Sequence, residues 1–305
     1  MAKFTRRGAL AAGASVPFAA AVPTLASAGG HAASEIPTNA FKIGDFSVTT
    51  LQIGNRVISE NPQGIFGMNV SKEEFEAGSR ANFVSGEMGE LFFTPTLVDT
   101  GSEVILFDTG FNGEGIGAAL EAAGTTTDAV DVVVLTHHHG DHIGGLTLED
   151  GTPTFANARY VTAQTEFDHW AAAGNDGFNA KVAPLAEKMT FIGDGGSVAS
   201  GITGMAAFGH TPGHMVYMLE SGGSQLVLTA DAANHHVWSL AYPDWEVRFD
   251  IDKEAAAASR RNLFGMLAAD RIPMVGYHLP TVGYVAEGGP GGSSFQFVPA
   301  TYQFS

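Results

Sequence analysis

The segment LTHHHGDHIGGL, residues 135–146, sets four of the chain's eleven histidines and one aspartate within six consecutive positions, directly behind an apolar run. Imidazole nitrogens and carboxylate oxygens are ligands for divalent cations, and spacing decides how many of them reach one ion. In an extended loop, side chains two apart point to the same side, so His137 and His139 can grip a single ion while His138 points away. Gly140 lets the chain turn and brings Asp141 and His142 round to a second position beside the first. One loop therefore supplies half of two metal sites. The remaining ligands must come from elsewhere, because a catalytic zinc ordinarily takes three protein ligands and keeps one position open. His214 in GHTPGH, Asp231 in LVLTAD and His278 in MVGYHLP are the candidates, each directly behind an apolar run. The chain has no cysteine, so any metal site is built from histidine and carboxylate alone. That donor set suits zinc first, with manganese, iron and cobalt as alternatives.

Such ligands need rigid elements behind them. VDVVVLT, residues 130–136, reads as an inner strand buried on both faces, which puts the histidine cluster on a loop at a strand terminus. Before it, FKIGDFSVTTLQIG alternates as a first β-hairpin, and LFFTPTLVDT and EVILFDTG form two apolar runs separated by Gly101 and Ser102. A helix runs through GIGAALEAAG to a C-cap at Gly124. The stretch from Asn61 to Gly89 reads as a long insertion or lid, with Ser71 and Glu74 placed as a capping box for SKEEFEAG. Further strands are expected at ARYVTA, MTFIG, GITGMAAFG, HMVYMLES and SQLVLTAD, and an amphipathic helix from Lys253 to about Ala269. Strands alternating with helices predict an α/β sandwich in one domain spanning residues 41–305.

H-x-H-x-D-H, then a Gly-His motif, a strand-terminal Asp and a late His, in that order, make residues 41–305 resemble the metallo-β-lactamase superfamily. The resemblance implies an αββα four-layer sandwich with two divalent ions at one edge. It implies that His137, His139 and His214 hold the first ion, that Asp141, His142 and His278 hold the second, and that Asp231 bridges them. A bridging water would lose its proton near neutral pH and act as the nucleophile, with Asp231 holding the pair together and Asp141 helping to move protons. Asp108 in LFDTG matches a family position that supports the metal loop. His138, His169, His210, His235 and His236 read as structural, with His210 supporting the ligands from behind.

Within the superfamily, HHHGDHIGGL, HTPGH and GYHLPTVGYV are most similar to the methyl parathion hydrolase and lactonase branch. That implies a homodimer acting on a small, neutral, ester-like molecule: a lactone, an aryl ester or an organophosphate triester. Phe111, Trp170, Asn234 and Trp238 are the candidate pocket residues, among aromatics that also include Phe92, Phe93 and Trp245. Three other readings stand beside this one. A quorum-signal acyl-homoserine lactonase would often carry a tyrosine three residues after the bridging Asp, where this chain has Asn234, whose amide cannot act as an acid. A glyoxalase-II-like thioesterase needs basic residues for an anionic substrate. A non-catalytic periplasmic metal- or partner-binding protein would have no reason to keep all seven ligand-type residues.

Charge and the first residues bound the setting. Residues 1–28 carry Lys3, Arg6 and Arg7 ahead of an alanine-rich apolar run that ends in ASA, the pattern of a cleaved export signal. Pro17 and Pro23 interrupt that run, so no stable membrane anchor is expected. TRRGAL resembles a twin-arginine signal, which implies a periplasmic protein exported after folding. Residues 29–40 read as a flexible lead-in. Removing the signal takes away three positive charges and no acidic residue from a chain whose formal net charge is −17, so nucleic acid is excluded as a partner.

Overall fold

The computed structural model describes residues 36–300, so the expected signal and most of the lead-in lie outside the described residues. Strand β1 (Thr38–Ile43) begins inside the expected lead-in and pairs antiparallel with β2 (Phe46–Leu51) through a turn in which Gly44 takes φ 55°. Next come β3 (Gly54–Ile58), helix α1 (Lys72–Ala81), β4 (Gly89–Phe93) and β5 (Thr96–Asp99). Ser71 Oγ caps α1 by accepting from Glu74 N at 3.1 Å. The run LFFTPTLVDT is broken rather than continuous. Pro95 has no N–H for a ladder, and β4 leaves to pair with β3 while β5 joins β2.

The chain continues through β6 (Val104–Phe107), α2 (Gly113–Ala122), β7 (Val132–Val134), α3 (Gly140–Ile143), β8 (Arg159–Ala163), α4 (Gln164–Ala173), α5 (Asp176–Lys181) and β9 (Met189–Ile192). The second half comprises β10 (Ser197–Ala199), β11 (Ile202–Ala206), β12 (Met215–Ser221), β13 (Ser224–Ala230), α6 (Trp238–Ala241), α7 (Lys253–Asp270), β14 (Met274–Gly276), β15 (Gly283–Glu287) and β16 (Phe295–Pro299). One sheet has the order β1-β2-β5-β6-β7-β8-β9, with β6 to β9 parallel, and the other runs β10 to β16 in sequence order. Between them lies an apolar core built from Val48, Val98, Ile105, Val132 and Val134 on one side and Ile202, Tyr217, Leu219, Leu226 and Leu228 on the other.

Each sheet also buries its outer face under helices. Val133 and Leu135 pack with Ile116 and Leu120 of α2 and Phe178 of α5, while Val216, Val227 and Met274 pack with Leu263, Phe264 and Leu267 of α7. The result is an αββα sandwich, and the alternation Val132/Val133/Val134 explains why β7 is apolar throughout. The expected lid region is anchored. Phe75 of α1 and Phe66 are buried with Trp238 and Trp245 in a separate apolar cluster. Residues 36–300 form one compact unit.

Candidate metal centre

Four strand ends converge on one edge. The parallel pair β6 and β7 delivers Asp108 and the run Thr136–His142, and the parallel pair β13 and β14 delivers Asp231 and His278. The connection from β11 to β12 crosses the same edge with His210 and His214. The run turns at Gly140 as expected, passing from extended backbone at His139 into α3, but the turn does not depend on a glycine there. Gly140 has ordinary helical backbone in α3 with open space around its Cα. The glycines the turn needs are Gly144 and Gly145, where an added Cβ would stand 2.2 Å from Phe111 O and Thr109 O respectively.

Two separate sets of three ligand-type atoms result, and a third set, His137, His142 and Asp231, overlaps both. His137 Nε2 lies 3.0 Å from His139 Nδ1, which lies 3.0 Å from His210 Nε2. Asp141 Oδ2 lies 3.6 Å from both His142 Nε2 and His278 Nε2. Within each set all ligand atoms fall within 4.8 Å of one another. Asp231 stands between the sets. Its Oδ2 is 3.2 Å from His210 Nε2 and 3.0 Å from His278 Nε2, and its Oδ1 is 3.2 Å from His142 Nε2.

One expected ligand is displaced. His214 is fully buried just ahead of β12, where its Nδ1 bonds Ala207 O at 3.0 Å and its Nε2 accepts from Asp231 N at 3.1 Å. His214 Nε2 thus faces Asp231 rather than the first set, and it is His210, expected behind the ligands, whose Nε2 lies within that set, with its Nδ1 on Asp250. His138 points away as expected, its Nε2 3.0 Å from Thr162 Oγ1.

Burial sets the charge states, modified by the carboxylates. Desolvation, with His142 next, holds His137 well below the usual imidazole range, and burial together with His210 brings His139 to about 3. His214 is likewise pushed down to about 3 by burial. For His142 burial acts in the same direction, but Asp231, Asp108 and Asp141 outweigh it and hold the ring well above its ordinary value. His210 is lifted to about 9 against burial by Asp231 and Asp250. Burial opposes ionisation of Asp231, yet the surrounding rings of His278, His142, His210 and His137 keep it well below the carboxylate range. His142 Nε2 and Asp231 Oδ1 are buried without any hydrogen-bond partner. A buried imidazole nitrogen and a carboxylate oxygen that face each other without a hydrogen bond fit a divalent cation, which takes such atoms as ligands.

Neighbouring groups aim the ligands. Asp108, at φ 61°, accepts from Thr136 N at 2.9 Å and Thr136 Oγ1 at 2.8 Å and bonds His142 Nδ1 at 2.8 Å. Asp250 bonds His210 Nδ1 at 3.0 Å and is itself held by Arg260 at 2.8 Å, a buried pair that no motif marks. Carboxylates behind metal-ligating imidazoles fix tautomer and ring orientation.

The model of the metallo-beta-lactamase superfamily matches residues 92–274, more than half the chain. The chain belongs to the metallo-β-lactamase superfamily. Its members' chemistry and the His/Asp clusters make it a metal-dependent hydrolase. Among solved structures it is similar to AidC, a dizinc quorum-quenching lactonase in complex with a product, with TM-score 0.77, 24% identity and 88% of this chain and 99% of that one covered. It is similar to the hydrolase AbOPH with TM-score 0.77, 23% identity and coverage of 87% and 98%. A probable metal-dependent hydrolase from Staphylococcus aureus aligns with TM-score 0.67, 21% identity and coverage of 85% and 99%. No curated protein matches the sequence at a significant level.

In this superfamily member a cavity of about 490 Å³ opens over the ligands, lined by His139, Asp141, Asp231 and His278 at one end and by Arg56, Leu91, Phe93, Phe111 and Phe249 elsewhere. Of the four expected pocket residues, Phe111 lines it. Trp238 does not: it is 1% exposed, stacks on His235 at 4.0 Å and donates to Ser79 Oγ at 3.0 Å. Asn234 is buried beneath the site and donates to Asp231 Oδ2 at 3.0 Å. Trp170 lies 5.7 Å from the His139 ring, outside the lining, with its indole N–H on Glu166 at 2.7 Å. Arg56 is found by register rather than by motif. It pairs opposite Leu91 on the β3–β4 ribbon and so shares the face that Leu91 presents to the cavity.

Proposed function

We propose that this hydrolase is dinuclear, with zinc as the metal, and that it cleaves neutral ester-like substrates: lactones, aryl esters or organophosphate triesters. The observation that carries this reading is Asp231, one carboxylate within 3.2 Å of ligand atoms from both sets at the end of a largely apolar cavity. His137, His139 and His210 would hold one ion and Asp141, His142 and His278 the other, with Asp231 shared. When bound, two such ions supply Lewis acidity toward the carbonyl or phosphoryl oxygen and a water nucleophile at neutral pH.

The chain's own residues then decide which substrates react. Leu91, Phe93, Phe111 and Phe249 take up an apolar body and displace water from it, and Phe111 and Phe249 are 49% and 38% exposed until something covers them. Asp141 borders the cavity with Oδ2 turned to the imidazoles, leaving Oδ1 to accept a proton. No acid faces the leaving group from the position of Asn234, whose amide is tied to Asp231. Tyr277 is no substitute: its hydroxyl donates to Asp141 O at 2.5 Å, and burial first, then Asp141, push its pKa well up. Departure of the leaving group is therefore unassisted by a protein proton, which favours phenolates and strained rings over simple alkoxides.

A second reading, ring opening of acyl-homoserine lactones, is favoured by the likeness to AidC. Both are tested by kcat/KM on zinc-loaded protein across aryl esters, aryl phosphotriesters, acyl-homoserine and plain lactones, alkyl esters, phosphodiesters and glutathione thioesters. The expected order places activated and strained substrates first and the anionic ones last. A preference for glutathione thioesters or phosphodiesters overturns it.

A further inference from the structure

We propose that Glu166 is a positioning residue that fixes the distance between the two loops carrying the first set of metal ligands. The proposal rests on the metal-centre reading above. Glu166 is fully buried in the first turn of α4, and its carboxylate accepts four hydrogen bonds. Oε1 takes His138 N at 2.9 Å and Trp170 Nε1 at 2.7 Å, while Oε2 takes Thr211 Oγ1 at 2.7 Å and Gly213 N at 2.9 Å. His138 sits between His137 and His139, and Thr211 follows His210. One oxygen thus holds the backbone of the histidine run and the other holds the loop that brings His210 to it.

The packing agrees independently. A Cβ on Gly213 would stand 2.2 Å from Glu166 N and 2.6 Å from its Cα, so the His210 loop lies directly on the start of α4. Thr162, at the end of β8, holds the His138 ring at 3.0 Å and keeps the first loop on the same junction. The contact demands a carboxylate. With four donors converging, an amide nitrogen would present N–H groups to two of them and leave those unpaired in the interior. The junction of β8 and α4 therefore sets the spacing of the ligands although it contributes none.

The test uses the full-length protein and zinc. Dissociation constants come from competition with a chromogenic chelator and thermal unfolding is followed on the metal-free form, for wild type, Glu166→Gln and Thr211→Val. Thr211→Val removes a single hydroxyl donor and is the milder change should Glu166→Gln fold poorly. The expected result is zinc affinity weakened about 10- to 100-fold in Glu166→Gln, and in the same direction in Thr211→Val, measured on folded protein. If metal-free stability falls while zinc affinity stays within about twofold of wild type, the residue is structural only and the proposal is overturned. Wild type that fails to bind zinc overturns the metal reading itself, a result distinguishable from tight binding by all three proteins, which overturns this proposal alone.

Discussion

At the scale of single residues, the centre turns on two side chains, Asp231 and His210. Asp231 touches both ligand sets, so Asp231→Ala is expected to reduce metal content at both positions and to lower hydrolysis by at least about 100-fold, more than loss of any one histidine. Elemental analysis and initial rates check this, and a variant that retains both ions at full rate contradicts it. His210→Ala should remove about one ion per chain, whereas His214→Ala should retain both and lose stability, because the His214 nitrogens are bound to Ala207 O and Asp231 N. Most ligands are legible in the sequence because they follow apolar strands at fixed places. The choice between the two histidines of GHTPGH is not. His214 already belongs to the start of β12, with Ala207 N donating to its carbonyl at 3.0 Å, and only the course of the preceding loop shows that the His210 ring reaches the Asp231 carboxylate as well. Pocket residues were less legible still. Trp238 and Asn234 are near the site in sequence, yet side-chain direction turns them away from the cavity.

At the scale of elements, close backbone approach holds the ligand run in place. Gly145→Ala places a Cβ 2.2 Å from Thr109 O and is expected to destabilise the protein by about 1–3 kcal/mol, whereas Gly140→Ala meets nothing within 4 Å and should be neutral or stabilising by up to about 1 kcal/mol. Denaturant unfolding of the metal-free protein measures both, and equal costs would contradict this account of the turn. Strands with an unambiguous local pattern were readable: β7 is buried on both faces as its valine run requires, and α7 keeps the expected limits to within a residue or two. The departure of β4 from β5 was hidden, because Pro95 marks a break without saying which strand the freed segment joins. The β15–β16 pair and the β3–β4 ribbon depend on partners distant in sequence or on a turn with weak signals, so residue types alone leave them open.

For the whole molecule, buried histidines dictate how stability depends on pH. In the metal-free protein His138 and His214 are held at about 3 and His235 well below its ordinary value, chiefly by burial, so the unfolded chain takes up protons first as pH drops. Stability present above about pH 6.5 is therefore lost below it. His210, lifted to about 9, and His142, also raised, act oppositely: their contribution is complete below about pH 6.5 and is lost as pH rises through about 9. Metal-free protein should accordingly be most stable near pH 6.5, as read from denaturant midpoints, and a steady rise to pH 9 would contradict these charge states. Replacing Arg6 and Arg7 by lysine is expected to leave precursor in the cytoplasm, checked by fractionation, with unchanged export pointing to the general secretion route. The proposed dinuclear centre rests on one carboxylate, Asp231, shared between two sets of three ligands. Its most direct test is elemental analysis of zinc-loaded wild-type protein after removal of loosely bound metal, where two ions per chain are predicted and a single ion even under zinc excess would contradict the dinuclear centre.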